Sequence, residues 1–147
     1  MPLRWSIAVM TVMVAALWPS AASAAVFNVN TTTDQADAAQ DGVCDASAAT
    51  AGEQCTLRAA MREANVGVSL DRINIPAGTY PLGSQVAFTG DVQIVGAGAR
   101  STAITGGSLS FAGSCTGAGG LCSAELSNLT VRNGGGITSR SIGRSET

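Results

Sequence analysis

Short apolar segments separated by glycine, proline, aspartate and asparagine fill this chain from residue 71 onward, spaced too tightly for helices between them. Arg72-Ile73-Asn74-Ile75 is stopped by Pro76-Ala77-Gly78, and Thr79-Tyr80-Pro81-Leu82 leads into Gln85-Val86-Ala87-Phe88. Thr89-Gly90-Asp91 then turns the chain into Val92-Gln93-Ile94-Val95, which Gly96-Ala97-Gly98 closes. Thr102-Ala103-Ile104-Thr105, Ser108-Leu109-Ser110-Phe111 and Leu129-Thr130-Val131-Arg132 continue the series, and Val26-Phe27-Asn28-Val29-Asn30 precedes it. Runs of this kind read as strands. Their spacing excludes a βαβ sheet and leaves a β-sandwich or a parallel β-helix. The shortness of the strands and of the turns between them favours the β-helix, because strands rounding the corners of one coil need few connecting residues. A sandwich would use tight hairpins, and no Asn-Gly or Asp-Gly pair sits at the centre of an obvious two-residue hairpin. The predicted class is all-β, a right-handed parallel β-helix, with a β-sandwich as the alternative.

One segment has a different period. In Thr56-Leu57-Arg58-Ala59-Ala60-Met61-Arg62-Glu63-Ala64-Asn65, residues Leu57, Ala60, Met61 and Ala64 fall at i, i+3, i+4 and i+7 and form one apolar stripe. Thr56 supplies an N-cap hydroxyl, and Asn65 or Gly67 a left-handed residue to end the helix. Arg58, Arg62 and Glu63 lie off the stripe and are expected on the wet side. A short helix over about 56–65, ahead of a train of strands, suits a cap laid over the open end of a first coil.

The N-terminus reads as an export signal. Arg4 gives the positive start, Ile7 to Trp18 an apolar run, and Ala22-Ser23-Ala24 a small-x-small site that places cleavage before Ala25. The run is short for a bilayer span, which takes about 20 residues. Four organising segments follow: signal 1–24, cap 25–70, first rungs 71–134, and an irregular tail 135–147 that reads as a truncation. Roughly 120 mature residues amount to one domain at most. The chain has no lysine and no histidine. Its arginines are outnumbered by ten acids, so nothing draws in nucleic acid or anionic lipid. Four cysteines in an exported chain form disulfides. Cys44 and Cys55 flank one small polar loop and Cys115 and Cys122 flank another, so the local pairings Cys44–Cys55 and Cys115–Cys122 are expected. Each closure is worth about 2–3 kcal/mol by the chain-entropy account.

The order of these parts resembles the CSLREA-type domain. Asp41-Gly42-Val43-Cys44-Asp45 is followed by a loop, by Cys55-Thr56-Leu57-Arg58-Ala59-Ala60-Met61-Arg62-Glu63-Ala64-Asn65, and by Asp71-Arg72-Ile73-Asn74-Ile75-Pro76-Ala77-Gly78-Thr79-Tyr80. Ile94-Val95-Gly96-Ala97-Gly98 and Leu126-Ser127-Asn128-Leu129-Thr130-Val131-Arg132-Asn133-Gly134 look like first rungs. Thr56 stands where the motif has serine and Ala59 where it has glutamate. The resemblance spans roughly Val26 to Gly134. It implies the start of an exported bacterial right-handed β-helix of the pectate-lyase type, without implying lyase activity.

Chemistry is sparse. Asp34, Asp37, Asp41 and Asp45, with Glu53 nearby, gather acidity before the helix and are the weak candidates for Ca²⁺, although their spacing matches no EF-hand loop. A solvated loop held shut by Cys44–Cys55 is the favoured reading of them. Glycoside hydrolysis needs two carboxyl groups facing one sugar, and Asp71, Asp91 and Glu125 are isolated at turns. Arg132, before Asn133-Gly134, is the best single candidate for a lyase base, but it has no carboxylate partner and reads as a solvated corner residue. Asn133 reads as a turn residue that tolerates positive φ. No catalytic residue, cofactor or metal ligand is assigned, and enzymatic activity is left open, leaning against. The expected role is structural or adhesive, at the cell surface or secreted. The alternative is the non-catalytic start of a polysaccharide lyase or glycoside hydrolase. Surface polysaccharide or a host-cell ligand are the expected partners, together with self-association through an open C-terminal rung.

Overall fold

The structure, a computed structural model, describes residues 23–66, 69–111 and 123–139. Among these the chain forms ten strands and one helix: β1 (Val26–Asn28), α1 (Leu57–Glu63), β2 (Asp71–Ile75), β3 (Gly78–Leu82), β4 (Val86–Phe88), β5 (Val92–Gly96), β6 (Thr102–Gly106), β7 (Ser108–Phe111), β8 (Ala124–Ser127), β9 (Thr130–Arg132) and β10 (Gly136–Ser139). The fold is mostly strand, and every strand pairing is parallel. That removes the antiparallel sandwich.

Three sheets hold the strands, in the orders β1-β2-β5-β8, β3-β6-β9 and β4-β7-β10. From β2 onward the chain therefore visits the three sheets in fixed rotation, and each strand from β5 on pairs with the one laid down a circuit earlier. In-register parallel pairing stacks like on like about 4.8 Å apart. Phe27, Ile73, Ile94 and Leu126 form one inward column, and Tyr80, Ile104 and Val131 a second. Val86, Leu109 and Ile137 form a third. The Phe88 and Phe111 rings stack with centroids 4.8 Å apart. Alternate residues point outward, which is why Arg72, Gln93 and Glu125 line up on the opposite face of the first sheet.

Asparagine supplies two of the corners. Asn128 and Asn133 adopt left-handed backbone with φ of 55° and 56°, a conformation its short polar side chain tolerates, as expected at Asn133. At the neighbouring corner a Cβ on Gly96 would run into the carbonyl oxygen of Asn128, so the close approach of successive circuits requires glycine there.

Two strands escape the sequence reading. β8 and β10 were not expected, and β10 falls in the segment 135–147 read as irregular. Gly136–Ser139 has little strand character of its own; it is extended because β7 offers a ready edge, with Ile137 opposite Leu109. Residues 140–147 of that tail lie outside the described residues, as do residues 1–22 of the signal, Gly67 and the Cys115–Cys122 pair.

Candidate functional site

The segment 25–70, with α1 and the disulfide loop, is where polar chemistry concentrates. Thr56 caps α1 as expected, its hydroxyl accepting from the Ala59 amide at 2.9 Å. The same hydroxyl donates to the Gln35 carbonyl. The Cys44–Cys55 disulfide is formed, with Cα atoms 4.9 Å apart, and it closes the loop that leads into the helix. Leu57, Ala60, Met61 and Ala64 are all buried. The helix does not end on a left-handed Asn65. Its C-cap Ala64 is right-handed, and the Asn65 side chain instead reaches β4, donating to the Ala87 carbonyl at 2.8 Å and accepting from the Thr89 amide at 3.0 Å.

The expectation that Glu63 lies on a wet face is corrected. It is 2% exposed, because the segment from Asp34 to Cys44 wraps the side of α1 away from the strands. The Glu63 carboxylate accepts from the Gly42 amide at 2.7 Å, while its other oxygen has no hydrogen-bond partner. Asp37, also buried, faces it. Burial first, and then the Asp37 carboxyl, push Glu63 above the ordinary carboxylate range, against the opposing amide donation of Gly42 and Asp41.

The other three calcium candidates are spent on local structure. Asp34 takes Arg58 in a two-pronged ion pair, at 2.6 and 3.0 Å, and accepts from the Gly83 amide at 2.6 Å. Asp41 accepts from the Val43 amide at 3.0 Å. Asp45 accepts from the Ser47 and Gln54 amides at 3.0 and 3.2 Å. Asp37 itself accepts from Asp45 and Ala39. Among the described residues no group of three or more acids or cysteines is placed to hold a metal ion. Carboxylates so placed clamp a loop, and each fixes a turn by taking up an otherwise free N–H. A sequence reading finds the acids but cannot see which backbone amides they meet.

The Asp37–Glu63 contact yields a prediction. Glu63→Gln is expected to raise stability by about 1 kcal/mol near neutral pH, since its amide N–H supplies the donor that two facing carboxylates lack. The sign follows from the raised value. A carboxyl that holds its proton more tightly folded than unfolded makes the native state lose stability as pH climbs from the ordinary value of 4.5 through the folded one. The advantage of glutamine should therefore shrink towards about pH 4. Urea midpoints for both chains across that range check it, and a glutamine variant weaker than wild type at neutral pH overturns it.

A second polar array covers the outer face of the first sheet. Asn74 donates to the Asn28 side chain at 2.9 Å. Arg72 donates to Asn74 at 2.8 Å and to Gln93 at 2.8 Å, and Gln93 donates to Glu125 at 2.9 Å. The ladder crosses four strands with five polar side chains, two of them, Arg72 and Asn74, from β2. Beside it runs an open groove of about 280 Å³ along the ends of β1, β2 and β5, lined by Asn28, Asn74, Ile75, Pro76, Val95 and Gly96. Arg132 sits exposed at the end of β9, in another sheet, so the ladder and the candidate base do not converge. Asp91 is likewise occupied, accepting from the Ser123 amide at 2.6 Å. Asp71 is buried beneath the first sheet and not exposed at a turn. No helix among the described residues is long and apolar enough to cross a membrane. No family model, curated protein or solved structure matches this chain.

Proposed function

We propose that this chain is the N-terminal cap and first coils of an exported, right-handed parallel β-helix protein of the CSLREA-headed kind, with a structural or adhesive role at the cell surface or outside it. The observation that carries the reading is the rotation of strands through three parallel sheets, three times in succession, beneath a disulfide-closed cap. A stack of this kind presents long flat faces, and the ladder from Asn28 to Glu125 offers a polymer a row of amide, guanidinium and carboxylate groups at coil spacing. The exposed Ile137 of β10 gives an apolar group through which copies of the chain could associate. The groove beside the ladder favours surface polysaccharide as the partner, and it is also the observation behind the second reading, the lead-in to a polysaccharide-degrading enzyme.

Affinity electrophoresis of the exported chain through gels containing acidic or neutral polysaccharide tests this, with parallel assays for new reducing ends and for unsaturated products. Retarded migration without cleavage is the expected result. Cleavage overturns the structural role in favour of the enzyme, and unretarded migration in every gel overturns the adhesive one.

A further inference from the structure

Asp71 occupies a position where a carboxylate is out of place. It opens β2 in the row shared with Val92 and Ala124, on the face that points inward, and it is 2% exposed. Burying a carboxylate costs several kcal/mol unless a charge or a set of donors meets it. Among the described residues no arginine reaches it. Arg72, its neighbour, turns outward to Asn74 and Gln93. The donors that do reach the carboxylate are the main-chain nitrogen of Ala25 at 2.8 Å and the Ser69 hydroxyl at 3.4 Å. Asp91, on the strand connection packed alongside, gives only its carbonyl to the Asp71 amide at 3.2 Å, while its own carboxylate is held by Ser123.

Ala25 is also the first residue after the small-x-small site Ala22-Ser23-Ala24. Ser23 and Ala24 are exposed and Ala25 is half-buried, so the chain passes from accessible to packed at the bond where cleavage is expected. We propose that cleavage between Ala24 and Ala25 creates the missing charge, and that Asp71 is the built-in receptor for the α-ammonium group of the mature N-terminus. The proposal rests on the export reading above. Its chemistry is hydrolysis by a peptidase that cuts after small residues. Water adds across the amide bond, Ala24 leaves as the carboxylate, and the Ala25 nitrogen takes up protons to become the ammonium group.

A neutral N–H···O⁻ contact is thereby converted into a charge-assisted one, about twice as strong, in a setting shielded from solvent. The device is specific to one residue. A chain that keeps Ala24 carries its charge about 3.8 Å further along, out in water, and leaves Asp71 with a neutral amide. The carboxylate also holds the terminal amine protonated to higher pH than the usual range of about 7.7–8.0. A group whose folded pKa is raised contributes stability that is complete below its unfolded value and is lost as pH rises through the folded one. Correct processing thus tightens the first strand of the cap, and an alkaline medium loosens it.

The test compares two otherwise identical chains, one beginning at Ala25 and one at Ala24, each shown folded by circular dichroism. Acylation of the terminal amine by acetic anhydride, followed by mass spectrometry across a pH series, reads its titration. For the Ala25 chain the expected midpoint lies at least one unit higher, which is about a fivefold slower modification near pH 8, and Asp71→Asn in that chain returns it to the ordinary range. Identical midpoints in the two chains overturn the proposal, and that comparison needs no substitution, so a poorly folding Asp71→Asn does not rescue it. The intact mass of the protein recovered from the medium or cell surface tests the export reading separately. A first residue other than Ala25 refutes the cleavage and the receptor role together, whereas the right first residue with an ordinary midpoint refutes the receptor alone.

Discussion

Ile94→Ala is expected to cost about 4 kcal/mol, enough to unfold much of a domain whose total stability is of the order of 5–15 kcal/mol. Ile94 is fully buried and stands in the inward column between Ile73 and Leu126. Truncation removes its methyl and methylene groups from the column and leaves a void. The void closes poorly, because the residues above and below are pinned at the fixed spacing of hydrogen-bonded strands and cannot slide together. Gln93→Ala, one residue earlier on the same strand but pointing outward, is the control; it gives up only exposed hydrogen bonds to Arg72 and Glu125 and is expected to cost no more than about 1 kcal/mol. Urea unfolding of both variants decides the matter. A loss below about 1 kcal/mol at Ile94 would mean that the columns are not close-packed.

The second large effect is expected at Asp34. Its carboxylate joins three separate pieces of chain: the segment before the disulfide loop, Arg58 on α1, and the Gly83 amide at the corner between β3 and β4. The Arg58 and Asp34 side chains are 15% and 20% exposed, too sheltered to be worth as little as a surface pair. Asp34→Ala leaves the Gly83 amide without its acceptor and the Arg58 guanidinium with only the Ser84 carbonyl, and should cost about 3 kcal/mol. Arg58→Ala should cost less, since Asp34 keeps Gly83. A double-mutant cycle measures the link, and purely additive losses would sink it. The pH dependence has the opposite sign to that of Glu63. Burial alone would raise the Asp34 carboxyl, but the Arg58 hydrogen bonds, the Gly83 amide and the Arg58 charge together bring it below its ordinary value of 3.8. The stabilisation is thus complete above that value and is lost as pH falls through the lower folded one.

What the sequence discloses and what it hides divide along the range of the interactions. The helix, its Thr56 cap, the Cys44–Cys55 closure and the strands with strong apolar alternation all follow from neighbours a few residues apart. Ala124–Ser127 and Gly136–Ser139 carry too few large apolar groups to announce themselves, and are strands because an earlier circuit provides the template. Glu63 looks solvated on a helical projection, and only the loop wrapping that face buries it. Asp71 looks like an ordinary turn acid until parallel pairing sets Val92 beside it on the inward face. In the cap, the fate of each carboxylate depends on which distant amide the fold brings to it, and no local pattern encodes that.

The circuits also differ in contour length without differing in register. Three residues lead from β4 to β5, whereas twelve lead from β7 to β8, yet Val92 still faces Ala124 and Phe88 still faces Phe111. Two doublings of a connection cost only about 1.2 kcal/mol in closure entropy, small beside what one mispaired strand would forfeit. The third-to-first corner therefore works as an expansion joint. Foreign sequence can be spliced there, and the stack, which gauges each turn by the edge beneath it, will count it as no length at all.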